Sequence, residues 1–477
     1  MSEELLSGSA IEQAEAVRNG DVSARELVEA SVRAIERLNG DVNAVVTTSA
    51  ERALEEAERI APGDERPLGG VPILIKDLVQ LTEGIRTTLG TEASGDWIPP
   101  FDTTLVRRVR EAGAIIVGKT NTPEFGILPT TEPHRFGPTR NPWDLSRTAG
   151  GSSGGTAAAV ASGMVALGHG NDGGGSIRIP ASCCGLVGLK PSRGRISFAP
   201  LVEGPALLIA DGFLTRTVAD TALGLDVVSG YELGDGVWAP PPFGAFADAA
   251  RREPGKLRIA FTTVPPTGAD PHEDCVAATH AAAELLESLG HEVDEGGPEW
   301  VSPDIIETFI DLWIAEVGAS IEGAGALVGG LDTDRIEPLS REILEGARQM
   351  SSVQAAMDLV ALRGFCRGIV AWWGDHDVLV TPTLARPPIP LGSLDPDPGE
   401  PALQMLHKSI DFVPFTPLIN ATGQPAISLP LHQSADGLPI GVQLVGPPAG
   451  EELLLSLSAQ IEQAVPWADR RPAMAIA

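Results

Sequence analysis

The sequence predicts an α/β protein built on a large mixed, mostly parallel β-sheet with helices on both faces. Segments of helical periodicity alternate with short apolar runs in the order helix, strand, helix, strand. The runs at 71–75 and 114–117 read as short buried strands. With 477 residues, 43% of them hydrophobic, the chain has ample material for one large core.

Each element follows from local chemistry. Ser23-Ala-Arg-Glu26 is a capping box, and Leu27, Val28, Val32, Ile35 and Leu38 follow at helical spacing before Gly40. The strand at 71–75 delivers Lys76 and Asp77 at its end. Asp102 is the expected cap of a helix through Ala112, stopped by Gly113, before the strand at 114–117. Further on, a strand at 257–261, a helix over about 271–289 and a strand near Val293 are expected. Residues 303–375 read as mostly helical with a break around 329–334. A strand at 377–382 enters a proline-rich loop, and strands at 426–430 and 438–445 flank Asp436-Gly437, a hairpin signal. A last helix is expected over about 449–463. With no repeat or linker, the chain reads as one domain: a helical part (1–65), a Ser/Gly core (66–230), a mostly helical variable part (231–376) and a closing part (377–477).

A net charge of −30 excludes the basic footprint of a nucleic-acid binder and fits a solvated, self-repelling surface. No apolar run reaches membrane-spanning length and no basic-then-apolar leader opens the chain. The four cysteines (Cys183, Cys184, Cys275, Cys366) form neither a C-x-x-C nor a ligand cluster, as expected of reduced thiols in a cytoplasmic protein. Lysine occurs only at 76, 119, 190, 256 and 408, so a lysine in an apolar setting stands out.

The chemistry concentrates between Gly150 and Pro191. Ser152 and Ser176 each lie among glycines, which permit a tight turn with several backbone N–H groups aimed at one point, as an oxyanion hole requires. Three patterns compete there. Gly168-His-Gly-Asn-Asp-Gly173 matches a dinucleotide fingerprint, but Pro180 is expected to interrupt the required helix, and 190–195 supplies no acidic residue. Gly151-Ser-Ser153-Gly-Gly155 matches a nucleophile elbow, making Ser153 the nucleophile of an α/β-hydrolase-type esterase. The polar run before it is no buried strand, and neither His407 nor His432 has the setting of a triad base. The third pattern joins Lys76, Ser152 and Ser176.

That third pattern resembles the amidase signature family. The resemblance rests on Ile75-Lys76-Asp77, the 150–155 loop and Gly174-Gly-Ser-Ile-Arg178, with the two serines 24 positions apart. Family-like sequence recurs at 118–125, 141–143, 185–191, 420–426 and 441–446, so the likeness covers most of the chain. It implies the amidase signature fold and a triad needing no metal or cofactor. In it, Ser176 is the nucleophile, Ser152 the bridging serine behind a cis peptide bond, and Lys76 the base. The backbone N–H groups of Gly173, Gly174, Gly175 and Ser176 would hold the oxyanion, with Ser153, Asp172 and Arg178 in support. Burial beside Ile73 and Ile75 is expected to favour the neutral amine of Lys76. Asp172 and Arg178 are expected to brace the loop through charge-assisted hydrogen bonds, and His169 to pack or hydrogen-bond.

Many family members carry threonine where this chain has Asn171 and Gly173, and the extra glycine is expected to loosen or reshape the oxyanion loop. The motif style is similar to that of 6-aminohexanoate cyclic-dimer hydrolases and urethanase-like amidases. The implied reaction is C–N cleavage of amides, and of carbamates and esters, through an acyl-enzyme, on a small-molecule amide or carbamate substrate. Residues 311–316 and the 384–420 loops are expected to shape the pocket, and a homodimer is left open. The rival readings are the glutaminase component of a tRNA-dependent amidotransferase and a non-catalytic binding relative, which would be expected to lack one of the three residues.

Overall fold

Successive side chains of a strand point to opposite faces, and the buried strands sort their apolar residues accordingly. In the computed structural model, which describes residues 2–476 except 203 and 205, Ile73 and Ile75 enter one core layer and Leu74 the other. Ile116 likewise parts from Ile115 and Val117. One layer packs the sheet against the helices Thr104–Glu111, Val218–Val228, Glu273–Ser288 and Glu451–Ala464. On the opposite face lie Ala24–Val42, Gly154–Ala161 and Arg178–Cys184 over one half of the sheet. Pro303–Val328, Ser352–Ala371 and Pro417–Thr422 cover the other half.

The strands are β1 (Val45–Thr48), β2 (Pro72–Lys76), β3 (Ile115–Thr120), β4 (Arg140–Asn141), β5 (Asp144–Thr148), β6 (Leu167–Asp172), β7 (Val187–Lys190), β8 (Ala210–Thr215), β9 (Arg258–Phe261), β10 (Glu292–Glu295), β11 (Val378–Pro382), β12 (Ala426–Gln433) and β13 (Pro439–Val445). Strands β4 and β5 form a small ribbon, and the other 11 form one sheet in the order β1-β3-β2-β6-β8-β7-β12-β13-β11-β9-β10.

The sheet is mixed, as expected, but not mostly parallel. Among the described residues only β2–β3, β2–β6, β9–β11 and β9–β10 pair in parallel. The remaining pairings are antiparallel: the centre of the sheet is built from the β12–β13 hairpin and from β8, which inserts between β6 and β7. Parallel pairing is confined to two flanks, where a helix supplies the crossover it needs.

Local boundaries moved for identifiable reasons. The first long helix runs past Gly40 to Val42 and ends on left-handed Asn43, while its Ser23–Glu26 capping box forms as expected. Thr103, not Asp102, is the N-cap of Thr104–Glu111. Asp102 instead accepts from the Glu83 N–H and pairs with Arg110. Pro180 does not interrupt a helix: it lies in the first turn of Arg178–Cys184, where its missing N–H costs nothing.

Candidate active site

Parallel neighbours β2 and β6 end on the same side of the sheet, and this brings Lys76 and Asn171 together. Lys76 Nζ donates to Asn171 Oδ1 at 2.7 Å and to Ser152 Oγ at 2.7 Å. Ser152 lies between β5 and the helix Gly154–Ala161, and the Gly151–Ser152 peptide bond is cis. Lys76 and Ser152 are buried, with relative exposures of 0% and 1%. Burial pushes the lysine well below its ordinary range, against the opposing pull of Asp211 and Asp172.

Ser176 lies on the turn between β6 and Arg178–Cys184. Its carbonyl accepts from the Ser153 N–H at 3.3 Å, which lays the two serine-bearing segments side by side. The Ser153 hydroxyl is fully buried and donates to the Asn171 carbonyl at 3.2 Å, so it fastens these loops and is not presented as a nucleophile.

Asp172 holds the turn. Its carboxylate accepts from the N–H groups of Gly175 (2.7 Å) and Ile177 (3.1 Å), from Arg178 Nε and Nη2, and from Asn420 Nδ2. Burial alone would raise its pKa, but the Arg178 guanidinium and these donors hold it below the usual carboxylate range. Arg178 also donates to Gln443 and to Asn420 Oδ1. Gly175 has φ +127°, and a Cβ there would collide with Thr416, so glycine is required.

One assignment needs correction: the Gly175 N–H is committed to Asp172 and is not available to an oxyanion. The N–H groups of Gly173, Gly174 and Ser176 make no hydrogen bond to another described residue. Nor is the loop loosened at Gly173. A Cβ on that residue would sit 3.2 Å from the Trp313 ring and 3.3 Å from Ile209, so the glycine makes room for the indole.

Ser176 opens into a cavity of about 90 Å³ walled by Ile127, Leu128, Ile179, Phe309, Trp313, Leu406, Ile410 and Val413, among others. No charged side chain of the described residues lines it. Its helical wall is the 306–313 face: Trp313 falls within the expected 311–316, while Ile306, Phe309 and Ile310 precede that segment, and residues 406–417 fall within the expected loops. Among the described residues no three His, Cys, Asp or Glu side chains converge to hold a metal ion, and no helix is long and apolar enough to cross a membrane.

Two participants are not legible from motif spacing: Asn171, and Asp211, which pairs with the buried His169 at 3.0 Å. The departure of Asn171 from the common threonine is the signal that marks the first. Trp313 falls within the expected 311–316 segment, whereas Asp211 is placed only by its β6–β8 register opposite Asn171.

Fold and site together define an α/β enzyme with a buried lysine–serine pair at a glycine-rich turn beneath an apolar pocket. The Amidase family profile matches residues 26–455, and the chain belongs to this family, the amidase signature enzymes. The 6-aminohexanoate-cyclic-dimer hydrolase of Paenarthrobacter ureafaciens is 41% identical over 490 residues, 99% of this chain and 98% of the relative. The hydrolase of the same name from Pseudomonas sp. (strain NK87) is 40% identical over 488 residues, with the same coverage. A solved structure of 6-aminohexanoate cyclic dimer hydrolase matches with a TM-score of 0.93 at 39% identity, covering 98% of this chain and 99% of that chain. The protein is a hydrolase of carbon–nitrogen bonds other than peptide bonds.

Proposed function

We propose that this enzyme hydrolyses uncharged small-molecule amides with apolar substituents, including cyclic or linear oligoamides, through Ser176, Ser152 and Lys76. The observation that carries the reading is the buried Lys76 Nζ to Ser152 Oγ hydrogen bond at 2.7 Å, beside the serine that opens into the apolar cavity. Burial favours the amine form of Lys76, which accepts a proton where an ammonium cannot. As substrate docks, the Ser176 hydroxyl passes its proton to Ser152, which passes its own to Lys76, and Ser176 Oγ bonds to the carbonyl carbon. Catalytic hydrogen bonds of this kind tighten in the substrate complex. The N–H groups of Gly173, Gly174 and Ser176 receive the oxyanion. The C–N bond then breaks, the leaving amine takes the proton back through Ser152, and water hydrolyses the acyl-enzyme along the same relay. A carbamate would give a carbamoyl-enzyme and an ester an alcohol leaving group by the same steps.

The cyclic-dimer hydrolase relatives support the oligoamide substrate class. The lack of a charged side chain among the described lining residues weighs against a glutaminase role, because glutamine carries an ammonium and a carboxylate that need partners. The four free, buried cysteines fit a reducing compartment such as the cytoplasm.

The test is labelling with a fluorophosphonate serine probe, located by mass spectrometry. The expected adduct is on Ser176, lost in Lys76→Ala, with turnover of neutral apolar amides. An adduct on Ser153, or labelling indifferent to Lys76, would overturn the assignment.

A further inference from the structure

Three carboxylates are buried around Lys76, and two of them are committed. Asp172 is bound by Arg178. Asp77 faces the Lys119 cation, whose attraction acts against the burial that raises the Asp77 pKa. Asp211, on β8, has no cation in hydrogen-bond contact. Its Oδ2 accepts from Gln80 Nε2 at 2.6 Å, and its Oδ1 faces His169 Nε2 at 3.0 Å. The register of β6 against β8 sets Asp211 directly opposite Asn171, the residue that Lys76 touches. Directly opposed side chains have Cβ atoms about 5 Å apart. Lys76, His169 and Asp211 are all fully buried.

We propose that Asp211, oriented by His169 and Gln80, is a positioning residue that serves as the counter-charge for the lysinium formed when Lys76 takes the nucleophile's proton. The role resembles that of the carboxylate behind a catalytic histidine: the acid keeps its charge and the base gains a compensated one. Burial disfavours protonated His169 against the opposing pull of Asp211, so the imidazole does not supply the counter-cation and Asp211 faces Lys76 across Asn171. The other buried charged groups around this site are Asp77 on the turn after β2, Lys119 on β3, Asp172 on β6, Arg178 on the following helix, and Lys190 on β7, which acts on Asp172. Among the described residues His169 Nδ1 is buried without a hydrogen-bond partner, so the imidazole is held by its Asp211 contact and by its edge-on packing against Phe213.

The inference rests on the proposed Lys76–Ser152–Ser176 reading, and the experiment separates the two. The rate constant for fluorophosphonate labelling of Ser176 is measured from pH 5 to 10 in wild type, Lys76→Ala, Asp211→Asn and Asp211→Glu. Wild type is expected to lose rate toward acid with a midpoint set by lysine protonation. In Asp211→Asn the lost carboxylate no longer favours the ammonium, so the midpoint moves to lower pH by about one to three units. The plateau falls at least about tenfold, because the lysinium formed during acylation is uncompensated. Asp211→Glu restores the wild-type midpoint. If Asp211→Asn does not fold, His169→Phe serves instead. Removing one donor from the carboxylate strengthens its hold on the ammonium, so this midpoint rises. A midpoint unmoved in the folded variant overturns the inference, even if the plateau drops. Labelling that does not depend on Lys76 overturns the underlying triad instead.

Discussion

Replacing Asp172 with asparagine tests whether the turn carrying Ser176 is held by charge. The substitution keeps the size of the side chain but turns one acceptor oxygen into a donor, and every group facing Asp172 is itself a donor. One oxygen receives Gly175 N–H, Arg178 Nη2 and Asn420 Nδ2; the other receives Ile177 N–H and Arg178 Nε. Either orientation of the amide therefore leaves at least two donors facing an NH2 group. The Arg178 guanidinium, also fully buried, loses its counter-charge. Breaking a buried pair from one side costs about 3–5 kcal/mol. At about 2.1 cal/mol/K per residue, unfolding this chain carries an entropy of about 1 kcal/mol/K, so the melting temperature should fall by about 3–5 °C. The pKa of Asp172 is depressed in the folded protein. Its contribution is therefore fully present above the unfolded carboxylate value of about 3.9, and is lost only as pH falls through the lower folded value. The difference between wild type and variant should consequently be constant from pH 5 to 8 by scanning calorimetry. A melting temperature within about 1 °C of wild type, or a gap that closes across that range, would refute the reasoning.

Two further expectations concern the base and a buried acid. Lys76→Ala should lower kcat/KM on a neutral amide by about 10²–10⁴-fold, the usual worth of a positioned base, with the melting temperature not reduced, since a buried amine is removed; steady-state kinetics with calorimetry checks both. Burial raises the Glu124 pKa to about 7, so the folded state binds its proton more tightly than the unfolded chain does. That stability is complete below the unfolded value of about 4.3 and lost as pH rises through 7. Glu124→Gln should therefore gain on wild type in urea midpoint between pH 5 and pH 8; a constant difference would sink the assignment.

Much of the site was legible because its chemistry is local in sequence. The strand that ends at Lys76, the two glycine-flanked serines and the Asp172–Arg178 brace all lie in short runs whose turns and charges define their own geometry. The sheet was less legible, because strand direction is decided by partners far along the chain. β8 inserts between β6 and β7 and makes the centre antiparallel, and no periodicity within any single strand encodes that. The cap at 102–104 failed for a related reason: Asp102 is drawn to Glu83 and Arg110, leaving Thr103 at the helix start. The helical pocket wall was found only in part, with Trp313 inside the expected segment and Ile306, Phe309 and Ile310 before it, because helical periodicity does not say which apolar face meets the site.

Gly173 and Trp313 are 140 positions apart in the sequence, yet they fit as a pair, and this can be tested as one. The backbone at Gly173 is not in the left-handed region, so conformation does not demand glycine there; the 3.2 Å approach of the Trp313 ring is what disfavours a side chain. Gly173→Thr alone should push against the indole and displace an oxyanion N–H, slowing fluorophosphonate labelling of Ser176 by about tenfold or more. Trp313→Ala alone should open the apolar wall and weaken apolar amides by about 1.5–3 kcal/mol, with little effect on labelling by a small probe. In the double variant the threonine occupies vacated space, so labelling should recover toward the Trp313→Ala rate. Contacting residues couple by about 0.5–3 kcal/mol, and a coupling within that range is expected here because Trp313→Ala removes the indole contact while Ile209 stays in place. Strictly additive effects on the labelling rate would mean that the indole does not set the identity of residue 173, and that glycine serves the turn itself.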